Sequence, residues 1–149
     1  MASRRSSREH ALQVLFNWDI RGGDLWRAVD DFYDTLHSEE DQPKRLDRDV
    51  FMEELVRGVT GKAEEIDKLI GQHSSHWRIE RMPGVDRNVL RMAIYEMLTG
   101  KLPSAVIIDE ALELVRRFSG DESVSFVNGV LDAVSRVVKK SGNPQGEKS

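Results

Sequence analysis

The chain has 149 residues and a net charge of −4, with 32% charged and 39% apolar residues. This length is typical of one domain with its own core, and the absence of cysteine excludes disulfides and thiolate metal sites. No apolar run approaches the roughly 18 residues of a membrane span, and polar residues interrupt the stretch after the basic start. We therefore expect a globular, cytoplasmic protein without a secretory signal.

Positive charge is concentrated at the start of the chain. Arg4, Arg5 and Arg8 give residues 1–8 a charge of +3, so the remaining residues carry −7. Such an asymmetry indicates a polyanionic partner that is contacted at one place, usually nucleic acid or a membrane surface. A solvated N-terminal segment without any partner is the alternative interpretation.

Apolar residues recur with helical spacing along nearly the whole chain, and no segment alternates with period two. The first predicted helix is capped by Ser6 and ends at Gly22, and the second is capped by Asp24. A polar loop is expected at 37–46. The apolar stripe of the first helix comprises Ala11, Leu12, Leu15 and Phe16.

The third helix is predicted at Asp47–Thr60, with Asp47 as its cap, and the fourth at Lys62–Gln72. Gly58 and Gly61 either separate them or weaken one long helix, and the pattern leaves both possibilities open. Residues 73–84 have no helical pattern and are expected to be irregular.

Three further helices complete the prediction. Asp86 caps one that ends at Gly100, residues 104–118 form another with Phe118 on its apolar face, and Ser123 caps the last. The fold class is all-α, a compact bundle of six or seven helices in two packed helical lobes. We expect one domain at 1–140, with lobes at about 1–76 and 77–140, and a disordered tail at 141–149.

The sequence offers no constellation that favours catalysis. His73 and His76 lack the spacing and third ligand of a catalytic zinc site, and the neighbours Asp109 and Glu110 point in different directions on a helix. A glycine-rich phosphate loop is missing as well. We therefore expect no enzymatic activity, no metal and no cofactor.

The last helix contains a glycine within an apolar run, and this is costly unless packing or a close approach compensates. One interpretation buries Phe126 in the core and makes Gly129 a helix–helix contact. The other leaves Phe126 partly exposed beside backbone amides near Ser123, an arrangement that suits a base and a phosphate together.

Six blocks of the sequence stand in an order and spacing typical of one protein family. They are Arg8 with Ala11-Leu12-Gln13, then Phe51…Val59, Ile66…Trp77, Val85…Glu96, Ile107…Leu114 and Phe126…Asp132. Together they resemble the NusB family of bacterial transcription antitermination factors, nearly end to end.

The resemblance implies an all-helical fold of two three-helix lobes and a non-enzymatic role. NusB-like proteins bind boxA, a single-stranded RNA element of ribosomal RNA leaders, together with the ribosomal small-subunit protein NusE. They act within the antitermination complex of RNA polymerase.

The alternative function is a helical protein–protein interaction or dimerisation module with weak or no RNA binding. Either a monomer or a homodimer is compatible with the sequence.

The resemblance also implies site residues, which we expect at the start of the first helix and the start of the last. It assigns NusE binding to Glu80 and Asp86, although helix capping alone would explain Asp86. We expect the two RNA-binding regions to form one surface. The implied RNA-binding residues are Arg4, Arg5, Arg8, Gln13, Glu122, Ser123, Phe126 and Asn128.

Overall fold

The computed structural model describes residues 3–39, 48–75 and 77–142, and within these ranges the chain is all-α, as predicted. None of the helices in the described residues is long and apolar enough to cross a membrane. The helices are α1 (Arg4–Arg21), α2 (Leu25–Glu39), α3 (Val50–Gly61), α4 (Ala63–His73), α5 (Gly84–Thr99), α6 (Ser104–Phe118) and α7 (Asp121–Gly142), with a short 3₁₀ turn at Ile79–Arg81.

The chain divides into two compact units, Met1–Gly61 and Lys62–Ser149. The break between α3 and α4 falls at Gly61 and Lys62, so the two glycine-flanked helices are separate. The boundary precedes the one expected near residue 76, because α4 packs against α5 and α7. In the N-terminal unit α1 packs against α2 and α3, and in the C-terminal unit α5, α6 and α7 pack against one another.

Glycines end the helices where the sequence predicts. Gly22 follows α1 with φ 72°, and its N–H donates to the carbonyl of Trp18 at 2.8 Å. Gly100 follows α5 with φ 70°, and its N–H donates to the carbonyl of Met97 at 3.2 Å. Both helix ends need a residue with positive φ, and glycine adopts that conformation at no steric cost.

Three helix starts differ from the prediction. The oxygen of Ser3, not of Ser6, caps α1 and accepts from the N–H of Ser6 at 3.0 Å. Pro83 precedes α5, so Asp86 lies inside the first turn, and α7 begins at Asp121, which places Ser123 inside the helix. Ser3 has the extended backbone of a helix cap and Pro83 has the fixed φ of proline, whereas α7 follows Gly120, which has φ 140°.

The cap of α3 is Asp49, whose Oδ1 accepts from the N–H of Met52 at 3.0 Å, whereas the predicted cap, Asp47, lies outside the described residues. Asp24 caps α2 as predicted, with the N–H of Trp26 donating to it at 3.3 Å. Residues 37–39 continue α2 instead of starting a loop, and 40–47 and 143–149 lie outside the described ranges.

The cores contain most of the predicted apolar stripes, including Ala11, Leu12 and Leu15 in the N-terminal unit. Phe16 and Phe118 are exceptions, being 38% and 46% exposed. Phe16 follows the buried Leu15 by about 100° around α1, which turns its ring out of the interface. The fully buried large side chains of the C-terminal unit are Ile66, Ile70, Leu90, Met92, Ile94, Ile107 and Leu131.

Asp49 ties α1 to α3. Its carboxylate accepts from the hydroxyl of Ser7 at 2.7 Å and lies 2.9 Å from Nδ1 of His10. Burial raises the pKa of Asp49, but the hydrogen bonds from His10, Ser7 and the N–H of Met52 lower it more, so the pKa is below its ordinary value of 3.8.

Tyr33 extends this network to α2. Its hydroxyl accepts from the N–H of Asp49 at 2.8 Å and donates to Oε2 of Glu53 at 2.7 Å. Burial and the bond to Glu53 raise the pKa of Tyr33 to about 12, so the hydroxyl keeps its proton at neutral pH. The three helices of the N-terminal unit thus share one polar network.

Arg91 ties α4 to α5 in the C-terminal unit. Its guanidinium makes two parallel bonds to Asp67, at 2.9 and 3.0 Å, and a third to Oδ1 of Asn88 at 3.0 Å. The amide of Asn88 in turn donates to the carbonyl of Gly84 at 2.9 Å. This bidentate ion pair fixes the position of α4 relative to α5, because the planar guanidinium fits a carboxylate in only a few orientations.

Asp49→Asn tests the carboxylate network. We expect the free energy of unfolding to fall by about 1–3 kcal/mol at pH 7, because the charged acceptor is lost from a largely buried site. Since the folded-state pKa is depressed, the wild-type advantage is present above the ordinary value of 3.8 and is lost as the pH falls through the folded pKa.

Urea unfolding of both proteins between pH 7 and pH 3, followed by circular dichroism, measures this difference. Asp24→Asn is the matched control, because Asn caps a helix about as well as Asp. Parallel stability curves for wild type and Asp49→Asn across this pH range would contradict the assigned role.

Gly129 lies in α7 with its Cα toward solvent, and a Cβ built on it meets no atom within 4 Å. Of the two interpretations of this helix, the one that makes Gly129 a helix–helix contact is therefore wrong. We expect Gly129→Ala to raise the free energy of unfolding by about 0.5–1 kcal/mol, because alanine lowers the entropic cost of the helix without a clash. Gly100→Ala, at φ 70°, should instead destabilise the protein, and thermal unfolding of both variants beside wild type measures the two effects.

Candidate nucleic-acid interface

The arginines at the start of the chain belong to a helix, since α1 begins at Arg4. Arg4 and Arg5 are exposed, whereas Arg8 is only 6% exposed. The guanidinium carbon of Arg4 lies 3.9 Å from the centroid of the Phe51 ring, and that of Arg8 lies 5.3 Å from it. One half-buried ring of α3 therefore holds two of the three arginines.

This ring offsets an unfavourable position. Cations in the first turn of a helix oppose the helix dipole, at a cost of about 0.3–1 kcal/mol each. A guanidinium over an aromatic face recovers about 0.5–1 kcal/mol at an exposed site and more when it is desolvated. Phe51 thus keeps the positive charge of Arg4 in a defined place. Nothing local in the sequence marks Phe51 for this role, because the contact requires α1 and α3 to pack.

Gln13 lies on a different side of α1. At about 100° per residue, Gln13 is opposite Arg4 but within about 80° of Arg5, two turns further along. Both Arg5 and Gln13 are exposed. The structure therefore brings Arg5 and Gln13 onto the solvent face of α1 and turns Arg4 and Arg8 toward α3.

The predicted residues of α7 divide in the same way. Glu122 and Phe126 are four residues apart and share one side of the helix, whereas Asn128 points roughly 160° away from Phe126. Asn128 and Glu122 are exposed and Ser123 is half-buried, with its hydroxyl 3.0 Å from that of Ser119. Phe126 and Asn128 therefore cannot contact the same base from α7.

Phe126 is half-buried, between the two positions that the sequence left open. Its ring lies edge-to-face with the indole of Trp77, with 6.1 Å between ring centroids and 60° between ring planes. Trp77 is 54% exposed. The sequence marks Trp77 only as part of a family block, so this aromatic pair comes from the packing of the C-terminal unit.

The two acidic residues expected to bind a protein partner differ in exposure. Glu80 is exposed on the 3₁₀ turn. Asp86 is 2% exposed, and its Oδ1 has no hydrogen-bond partner in the described part of the chain. Glu80 can reach a partner directly, whereas a contact through Asp86 requires its surroundings to open. The partner role of both residues stays a prediction.

Ser7, Asp49 and His10 form the one serine–aspartate–histidine cluster among the described contacts, and its geometry does not suit catalysis. The hydroxyl of Ser7 donates to Asp49, and His10 contacts the other oxygen of the same carboxylate. A nucleophilic serine needs a base that accepts its proton, which is the role of histidine in a triad. The cluster is thus a structural link.

Comparisons with known proteins identify one family. The NusB family model matches residues 5–136. The transcription antitermination protein NusB of Solibacter usitatus is 53% identical over 144 residues, covering 97% of this chain and 96% of that protein. The NusB protein of Streptomyces coelicolor is 43% identical over 132 residues, covering 88% and 91%.

Solved structures agree with this assignment. A chain in the crystal structure of antitermination factors NusB and NusE in complex with dsRNA superimposes with a TM-score of 0.76 at 26% identity. The match covers 90% of this chain and 96% of that one. Fold, family model and sequence identity therefore agree, and the chain belongs to the NusB family.

Proposed function

We propose that this protein is an RNA-binding transcription antitermination factor that binds boxA-like single-stranded RNA of ribosomal RNA leaders together with NusE. The observation that carries the proposal is the arginine pair at the start of α1, with Arg4 held on Phe51 at 3.9 Å. Family membership supports the same function, as does the related NusB–NusE structure with dsRNA.

In this mechanism arginines of the N-terminal unit contact phosphates, and an aromatic ring of the C-terminal unit contacts a base. Arg4 and Arg5 neutralise phosphates, which gives affinity with little sequence information. Phe126 stacks on an unpaired base, and Gln13 or Asn128 contacts a base edge. That one RNA strand contacts both units is part of the proposal.

The protein acts by binding, without catalysis, and works in the cytoplasm within the RNA polymerase complex. The net charge of −4, despite the basic start, favours a basic protein partner for the acidic surface. Glu80 is the exposed acid that we assign to this contact with NusE.

A dimerisation module without RNA binding is the competing function. Measuring the size of the protein with and without RNA separates the two functions.

A fluorescence anisotropy titration tests the proposed function. A labelled boxA-like RNA is compared with a scrambled RNA of equal length and with its own duplex, each with and without NusE. We expect the boxA-like single strand to bind most tightly and NusE to tighten it further. Equal affinity for the scrambled strand, with and without NusE, would contradict the proposal.

Changing both Arg4 and Arg5 to Ala should weaken RNA binding and reduce the salt dependence. Each phosphate contact on a single strand contributes about 0.7 to the slope of log K against log salt, so two lost contacts lower it by about 1.4. Both side chains are exposed, so we expect the free energy of unfolding to change by less than about 1 kcal/mol.

Changing Arg21 and Arg27 to Ala is the matched control for that experiment. Both are exposed arginines of the same unit, and Arg21 lies about 25 Å from Arg4 along α1. The same salt slope in wild type and in the Arg4/Arg5 variant would remove the start of α1 from the interface. Arg8 is left unchanged because its burial makes it part of the fold.

Phe126→Ala should weaken RNA binding by about 1–3 kcal/mol, the usual value of one base–aromatic stack. Because the ring is half-buried, we expect the loss in unfolding free energy to stay below the 3–5 kcal/mol of a fully buried phenylalanine. Anisotropy and urea unfolding measure the two effects. A loss of stability at or above that range, with unchanged RNA affinity, would make Phe126 a core residue only.

A further inference from the structure

Trp77 presents a large apolar ring to solvent on a backbone that is held firmly. The hydroxyl of Ser74 donates to the carbonyl of Trp77 at 2.8 Å, and the N–H of Trp77 donates to the carbonyl of Ser74 at 3.1 Å. Ser74 is buried, and Ser75 between them has φ 54°, a conformation that costs energy for a residue with a Cβ. This closed turn fixes the starting point of the Trp77 side chain.

The indole uses only part of its surface for packing. It meets Phe126 edge-to-face and remains 54% exposed. The surface beside the pair is open, because Gly129 lies one turn after Phe126 and has free space where a Cβ would stand. Arg78 directly follows Trp77 in the chain, and the exposed charged residues of this segment, Arg78, Glu80 and Arg81, carry a net charge of +1.

We propose that Trp77 stacks on an unpaired base of the bound RNA, next to the base that stacks on Phe126. The inference rests on the proposed function and adds a binding residue to the same site. An exposed aromatic face accepts any base, and positive charge beside it accepts the neighbouring phosphate. Trp77 and Phe126 then form a platform for two bases.

The angle between the rings makes this platform selective. Successive bases in a helix are nearly parallel, whereas the planes of Trp77 and Phe126 differ by 60°. Two bases can stack on both rings only when the strand is unpaired and its bases are splayed apart. The pair therefore favours a single strand over a duplex of the same sequence.

The fluorescence of Trp77 provides a direct test without changing the residue. The chain contains three tryptophans, so Trp18→Phe with Trp26→Phe leaves Trp77 as the sole emitter. We expect an unlabelled boxA-like single strand to quench this emission, saturating at the RNA concentration at which anisotropy saturates. Binding by anisotropy without quenching would overturn the inference and leave the proposed function intact.

Two substitutions in the full-length chain give the energetic test. Trp77→Leu should weaken single-strand binding about 5- to 150-fold, whereas Trp77→Phe, which retains a stacking face, should keep most of the affinity. The loss should be confined to the single strand and absent for the duplex. Trp26→Leu is the matched control, a half-buried tryptophan in the N-terminal unit whose ring contacts Arg57.

Three further outcomes of these experiments bear on the role of Trp77. If Trp77→Leu binds RNA as wild type does but loses affinity for NusE, the ring is a protein contact and the inference is wrong. If Trp77→Leu does not fold, the quenching experiment alone decides. If wild type binds no boxA-like RNA at all, with or without NusE, the proposed function fails first, and the inference fails with it.

Discussion

The attachment of the first turns of α1 to the first turn of α3 is the constraint on which the proposed RNA contact depends. Asp49 accepts hydrogen bonds from the α1 side chains, and Phe51, two residues later, carries the guanidinium groups of Arg4 and Arg8. A helix N-terminus disfavours cations, so α1 alone would not hold its arginines in order. Packing against α3 arranges the charge before RNA arrives, which lowers the entropic cost of binding.

The C-terminal unit pairs its buried Arg91 internally and leaves aromatic groups at the surface. Arg91 is paired with Asp67 and Asn88, and that network joins α4 to α5. Its surface includes the Trp77–Phe126 pair and the open Gly129 of α7. Under the proposed function the two units have different roles, because charge gives affinity and stacking selects unpaired bases.

The blocks that mark the family contain residues of both kinds. Asp67, Asn88 and Arg91 belong to the most recognisable blocks, yet their side chains hold helices together. Phe126 and Trp77 come from blocks of the same kind and lie at the surface. A motif therefore identifies the fold, and only exposure and contacts separate structural residues from those that can meet a ligand.

The sequence alone determined the helical fold class, most apolar stripes and the helix ends at Gly22 and Gly100, because periodicity and left-handed glycines are local properties. The charge pattern pointed to Arg4, Arg5 and Arg8, and the apolar run of the last helix pointed to Phe126 and Ser123. The family resemblance was needed to name Gln13, Glu122 and Asn128 as site residues. Tertiary structure decided the burial of Arg8 on Phe51, the place of α4 in the second unit and the pairing of Trp77 with Phe126. These features arise between segments distant in the chain, such as Ser7 and Asp49, which are 42 positions apart. Helix packing, which no local pattern encodes, brings such segments together.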